Sequence, residues 1–179
     1  MSYSQLKIRH PKDVPVSTFI AVSLVVVFLL YNAKVLNALP CGNSFQEVFC
    51  SNFCHIEIVH LLSNLFSLYA LSTVEQQMGF KPFAWLMIFL LLFNTLAEYF
   101  VKKLLNYSKC SIGFSGILFG VMTWDIISKK KIDLEVAAAI LISVFSPSLT
   151  GKNISFTGHA IGAFSGIIGA LLWKVINKE

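Results

Sequence analysis

The sequence predicts an all-α protein that crosses a membrane six times, and three observations carry that expectation. Apolar residues make up 56% of the 179-residue chain and charged residues only 13%, where a soluble domain carries roughly 25% charged residues. Mean hydropathy is +0.73. The apolar residues fall into runs long enough to span a bilayer, with lysines clustered in the gaps between them. The whole chain, 1–179, reads as a single membrane domain with a short cytoplasmic N-terminal segment over about residues 1–15. The net charge of +5 sits in those short clusters, where it sets topology, and no nucleic-acid partner is expected.

The first span, Val16 to Leu36, belongs to a run that starts near Val14, has no small-residue cleavage site and is long enough to cross. It is therefore expected to remain as a helix and not to act as a cleavable signal peptide. The second, Glu57 to Met78, is unusually polar, with His60, Ser63, Asn64, Ser67 and Glu75. Pro82 to Val101 and Ile112 to Ser128 form the third and fourth. The fifth, Asp133 to Pro147, is near the lower length limit and ends at a proline that must break it. Phe156 to Ile176 is the sixth. Trp85, Trp124 and Trp173 fall toward span ends, as interfacial anchors do.

Six spans place both termini on one side. That side carries Lys7, Arg9, Lys12, Lys81, Lys129, Lys130, Lys131, Lys174 and Lys178, against Lys34, Lys102, Lys103, Lys109 and Lys152 opposite. The excess favours cytoplasmic termini. Spans two, four and six then all begin at the non-cytoplasmic face. His60 and Asn64, Ser115, and His159 each lie in the first turns of one of those spans, at similar depth.

Polar side chains inside a bilayer are costly and ask for a reason. A serine hydroxyl becomes a useful nucleophile when a base takes its proton, and histidine is the usual base. Ser115 and His159 could meet if spans four and six pack closely. Gly113, Gly116 and Gly120 on one, and Gly158, Gly162, Gly166 and Gly169 on the other, supply the small residues that such packing uses. Acyl transfer also needs donors for a developing oxyanion. The Ser115 N–H, at a helix start, is free of an intrahelical partner, and His60 and Asn64 share one helix face. On spacing alone these residues serve equally as interhelical hydrogen-bond partners, and the glycines as packing residues.

The residues around these positions resemble the rhomboid family of intramembrane serine proteases. Its glycine-x-serine-glycine motif appears as Gly113-Phe114-Ser115-Gly116. Its histidine followed by glycines three and seven residues later appears as His159, Gly162 and Gly166, and its second-helix pattern as His55, His60 and Asn64, with Glu75 near the family's glutamate. The resemblance covers nearly the whole chain and implies a six-helix bundle. It implies Ser115 as nucleophile and His159 as general base, and His60, Asn64 and Gly113 around the oxyanion. Gly116, Gly120, Gly162 and Gly166 would pack the helices, and His55 would order the loop.

It further implies no cofactor and no metal, and, as partners, the lipid bilayer and the transmembrane segments of substrate proteins. The membrane expected is one of the secretory pathway in a eukaryote or the inner membrane in a bacterium. Phe119 stands where the family often has tyrosine, and the spacing to Glu75 is one residue short. A rhomboid-like protein that binds transmembrane clients without cutting them is the alternative. The loop from Ser146 to Ser155, with Pro147 and Gly151, is expected to cap the site. Cys50, Cys54, His55 and His60 match no standard zinc spacing. Cys41, Cys50, Cys54 and Cys110 leave a disulfide open but no pairing assigned.

Overall fold

The computed structural model describes residues 10–36, 42–106, 111–129 and 156–177. Among these the chain is all-helical, with six α-helices. They are α1 (Pro15–Asn32), α2 (Phe45–Ser51), α3 (Ile58–Met78), α4 (Phe80–Leu104), α5 (Ser115–Ser128) and α6 (Phe156–Asn177). Four of them, α1, α3, α4 and α6, are long and apolar enough to cross a membrane. The expected fifth span and the expected cap from Ser146 to Ser155 lie outside the described residues.

The surface is that of a protein solvated by hydrocarbon. Phe19, Leu62, Phe66, Trp85, Phe164, Leu171 and Val175 point outward, while Ser17, Asn64, Glu75, Asn94, Thr95, Lys102 and Ser165 are buried. An aqueous solvent would reverse that distribution. Leu24, Leu61, Leu68, Phe83, Leu90, Phe114, Ile117, Val121 and Ala170 form the shared core. Trp85 is exposed, as an interfacial anchor requires, but Trp124 is buried, its ring edge-on to Trp173 at 5.9 Å.

Helix α1 begins at Pro15, whose ring presets φ for a first turn. Its leading N–H groups have no intrahelical acceptors. The carboxylate of Glu75, 1% exposed on α3, supplies them: Val16 N–H donates at 2.8 Å, Ser17 N–H at 2.9 Å and the Ser17 hydroxyl at 2.7 Å. A negative charge at a helix N-terminus is also favoured by the helix dipole. The helix stops at Asn32, short of the expected Leu36, because Lys34 takes a left-handed φ of 59° and the Val35 N–H turns back to the Leu30 carbonyl.

Helix α2 lies in a stretch that sequence patterning leaves as a loop. Ser44 and Glu47 form a reciprocal capping box: the Ser44 hydroxyl accepts from the Glu47 N–H, and the Glu47 carboxylate accepts from the Ser44 N–H. The Ser44 hydroxyl, donating to the Glu47 carboxylate at 2.6 Å, and then the Ser44 N–H hold that carboxyl below its usual range. Helices α3 and α4 are joined through Gly79 alone, which closes one helix and opens the next with φ +85°. Helices α5 and α6 make the most extensive pairing, and α6 also packs on α4.

Replacing Glu75 by alanine removes three charge-assisted bonds and should lower unfolding stability by about 3 kcal/mol, with Glu75→Gln losing less. Unfolding midpoints in mixed micelles would measure this, and an unchanged midpoint for the alanine variant would mean α1 is held elsewhere.

Candidate active site

Helix α5 has 14 residues, which at 1.5 Å per residue is about 21 Å. Against a hydrocarbon core of about 30 Å, Ser115 at its first position is recessed by roughly 9 Å if Ser128 reaches the opposite surface. Lys129, paired with Asp125 one turn earlier, marks that opposite end.

The turn before α5 needs glycine on two counts. Gly113 has φ +107°, and a Cβ there would stand 2.6 Å from Cε1 and 2.8 Å from Nε2 of His60. Its N–H donates to the Ser51 carbonyl at the end of α2, at 3.0 Å. Phe114, 2% exposed, packs its ring 5.8 Å from that of Phe53 and anchors the turn in the core.

Ser115 Oγ lies 2.9 Å from His159 Nε2. When the imidazole carries its proton on Nδ1, Nε2 accepts from the hydroxyl, the arrangement a general base requires. His159 is 8% exposed, and its Nδ1 has no hydrogen-bond partner among the described residues. Phe119, one helical turn beyond Ser115, covers the imidazole with its ring centroid 4.4 Å away.

The glycines make this approach geometrically available. A Cβ on Gly162 would fall 1.9 Å from the Gly116 carbonyl oxygen, and one on Gly166 would fall 2.2 Å from that of Gly120. A Cβ on Gly116 would meet the Gly158 carbonyl at 2.9 Å, and one on Gly120 the Leu90 side chain at 2.8 Å. The two backbones are in contact. Hydroxyl and amide groups then lock the register: Thr123 Oγ1 donates to the Ala163 carbonyl at 2.9 Å, and Asn94 Nδ2 of α4 to Ser165 Oγ at 3.0 Å.

His60 and Asn64 both lie against Gly113. Asn64 Nδ2 donates to His55 Nε2 at 2.8 Å and to the His60 carbonyl at 3.2 Å, so both amide protons are committed. Aiming one at an oxyanion means giving up a bond, and the longer one to His60 is the weaker. The Gly113 N–H is likewise committed to Ser51, so Gly113 contributes space at the site and not a donor. His55, 1% exposed with its ring 4.9 Å from that of His60, fixes the Asn64 amide.

A rhomboid domain description matches residues 42–175 of the chain. The chain belongs to the rhomboid family. A protein of Acanthamoeba polyphaga mimivirus that carries the rhomboid name is 29% identical over 163 residues, covering 89% of this chain and 91% of the viral one. Rhomboid-like protein 15 of Arabidopsis thaliana is 28% identical over 133 residues, or 63% of this chain. The chain spans about a third (32%) of that plant protein's length. With its four long apolar helices, this rhomboid is an integral, multi-pass membrane protein.

Sequence reasoning missed Ser51, whose carbonyl holds the Gly113 turn, and Asn94, which braces α6. The capping box of Ser44 and Glu47 was the available signal for α2 and hence for Ser51. Asn94 left no signal, being one amide in an apolar run. Cys50 and Cys54 are free thiols, and burial pushes the Cys54 thiol up, with Cys50 adding to it. Cys41 and Cys110 lie outside the described residues.

Burial, and secondarily the charge of His60, hold the His55 imidazole down to about 4, from an ordinary 6.5. As pH falls the unfolded chain therefore takes this proton first. The stability from neutral His55 is complete above about 6.5 and is lost progressively toward 4. Thermal midpoints of wild type should fall through that window more steeply than those of His55→Gln, which keeps an acceptor for Asn64. Parallel curves would assign the acid sensitivity to another group. Separately, Gly162→Val must push α5 and α6 apart and should cost several kcal/mol of stability, read as a large drop in the same midpoint.

Proposed function

We propose that this rhomboid is a serine endopeptidase that cleaves transmembrane helices of other membrane proteins near the non-cytoplasmic face, with its own termini in the cytoplasm. The observation that supports this most directly is the 2.9 Å contact between Ser115 Oγ and His159 Nε2, at the start of α5. Ser115 Oγ attacks the scissile carbonyl carbon while His159 Nε2 takes the hydroxyl proton. The carbonyl oxygen becomes an oxyanion, met by the Ser115 N–H, the His60 side chain and one released Asn64 proton. The C–N bond then breaks as His159 returns its proton to the leaving amine. Water, deprotonated by the same nitrogen, releases the acyl group and restores Ser115.

A helix hides its peptide bonds in its own hydrogen bonds. The substrates are therefore transmembrane segments that unwind readily near the outer interface, with small or helix-breaking residues. Client binding without cleavage is the second reading. It is favoured by the commitment of both Asn64 amide protons, which leaves the resting site one donor short.

Purified protein in liposomes, offered a reporter transmembrane segment, separates the two. Ser115→Ala and His159→Ala should each reduce kcat by at least about a thousandfold, and Asn64→Ala by about a hundredfold. Wild type that binds the segment but yields no product would establish client binding instead.

A further inference from the structure

Lys102 counts, in sequence, among the loop cations of the outer side. In the structure it is a helical residue of α4 and is 3% exposed. Its ammonium lies 3.8 Å from the Glu98 carboxylate one turn earlier and 3.5 Å from the Gly42 carbonyl, and its charge reaches Glu47 of α2. Lys103, the next residue, turns outward over the Tyr99 ring at 4.8 Å. A buried ammonium is costly unless partners surround it, and here they come from two segments. Glu98 is on α4, Gly42 precedes α2 and Glu47 lies in its first turn, and the side chain of Ser111, two residues before Gly113, faces the carboxylate of Glu98.

These contacts close a loop around the turn that precedes Ser115. Lys102 holds the N-terminal end of α2. The other end of α2 holds Gly113 through the Ser51 carbonyl, and Asn52 Nδ2 ties that end back to Thr95 of α4 at 3.4 Å. Glu98, paired with Lys102, faces Ser111 from the other side. We infer that the Glu98–Lys102 pair is a positioning element for the Ser115 site, fixing the two segments between which the Gly113 turn is clamped. Neither side chain touches the reacting atoms. The effect on turnover rests on the protease reading; the clamping of residues 111–114 does not.

The test uses the full chain in lipid nanodiscs, with Lys102→Met, Glu98→Gln, Lys102→Arg and the charge-reversed pair Glu98→Lys with Lys102→Glu. Amide hydrogen exchange over residues 111–118 should accelerate at least about tenfold in Lys102→Met and Glu98→Gln. Residues 120–128, held by the glycine contact with α6, should exchange at the wild-type rate. Lys102→Arg, which keeps the charge, should restore protection, and the reversed pair should recover part of it. In turnover of the reporter segment, kcat should fall about tenfold with KM unchanged.

Unchanged exchange at 111–118 overturns the inference, and so does acceleration that extends equally through 120–128, the mark of general loosening. Selective acceleration with unchanged kcat in an active protein overturns the positioning role while the protease reading stands. Absence of turnover in wild type sinks the protease reading, and the exchange data still decide the clamp. Should Lys102→Met fail to fold, Glu98→Gln, which removes one charge and keeps the shape, gives the same readout.

Discussion

Everything at this site depends on how closely two helix backbones can approach. Side-chain-bearing helices pack with axes 8–10 Å apart, and at that distance a serine on one and a histidine on the other need not meet. Helices α5 and α6 touch at carbonyl oxygens, because Gly116, Gly120, Gly162 and Gly166 put nothing between them. In a bilayer, where lipid tails are as apolar as leucine, this contact is driven by dispersion and polar bonds. Thr123 to Ala163 and Asn94 to Ser165 supply the latter. The close approach and the register are thus set by separate means, and the 2.9 Å contact of Ser115 with His159 needs both.

The second constraint is the cost of polar groups in hydrocarbon, which explains where they gather. His55, His60, Asn64 and the Gly113 turn cluster together, and the end of α2 meets that cluster at Gly113. Helix α2 earns its place through backbone chemistry: its last carbonyl accepts from Gly113, while its aromatic face runs from Phe45 through Phe49 and Phe53 to Phe114. One short helix thus orients the turn leading into Ser115.

The large features were legible in sequence because they repeat. Composition and run length gave the apolar spans, and the four-residue glycine period marked the faces of α5 and α6. Ser115 and His159 stood out as polar residues beside that period. What escaped is local or long-range. Helix α2 has seven residues, too few for apolar periodicity to register, and its capping box alone announced it. Lys102 looks like a loop cation in sequence, whereas α4 runs to Leu104, three residues past the expected end at Val101. The spacing of Glu75 within its own helix says nothing of its bonds, which are to α1, 58 and 59 residues away. Trp124 sits near a helix end, as expected, yet packs inward on Trp173. Partners distant in sequence leave no period to read.

The distribution of carboxylates then bears on the form of the chemistry proposed. A serine–histidine pair is commonly steadied by an acid on the far imidazole nitrogen, and His159 Nδ1 has no such partner among the described residues. Four of the described carboxylates are engaged elsewhere. Glu75 holds the start of α1, Glu98 faces Lys102 and Ser111, Asp125 pairs with Lys129, and Glu47 caps α2. A carboxylate placed behind His159 would also have to be buried among apolar helices, at a desolvation cost that hydrocarbon surroundings make larger. Orientation of the imidazole falls instead to packing: Phe119 against its face at 4.4 Å, and the glycine contact that fixes α6 relative to α5. On the protease reading this makes a dyad, held by shape where a soluble enzyme would use charge. It also makes the Phe119 ring, which has no hydroxyl to offer, sufficient for its place.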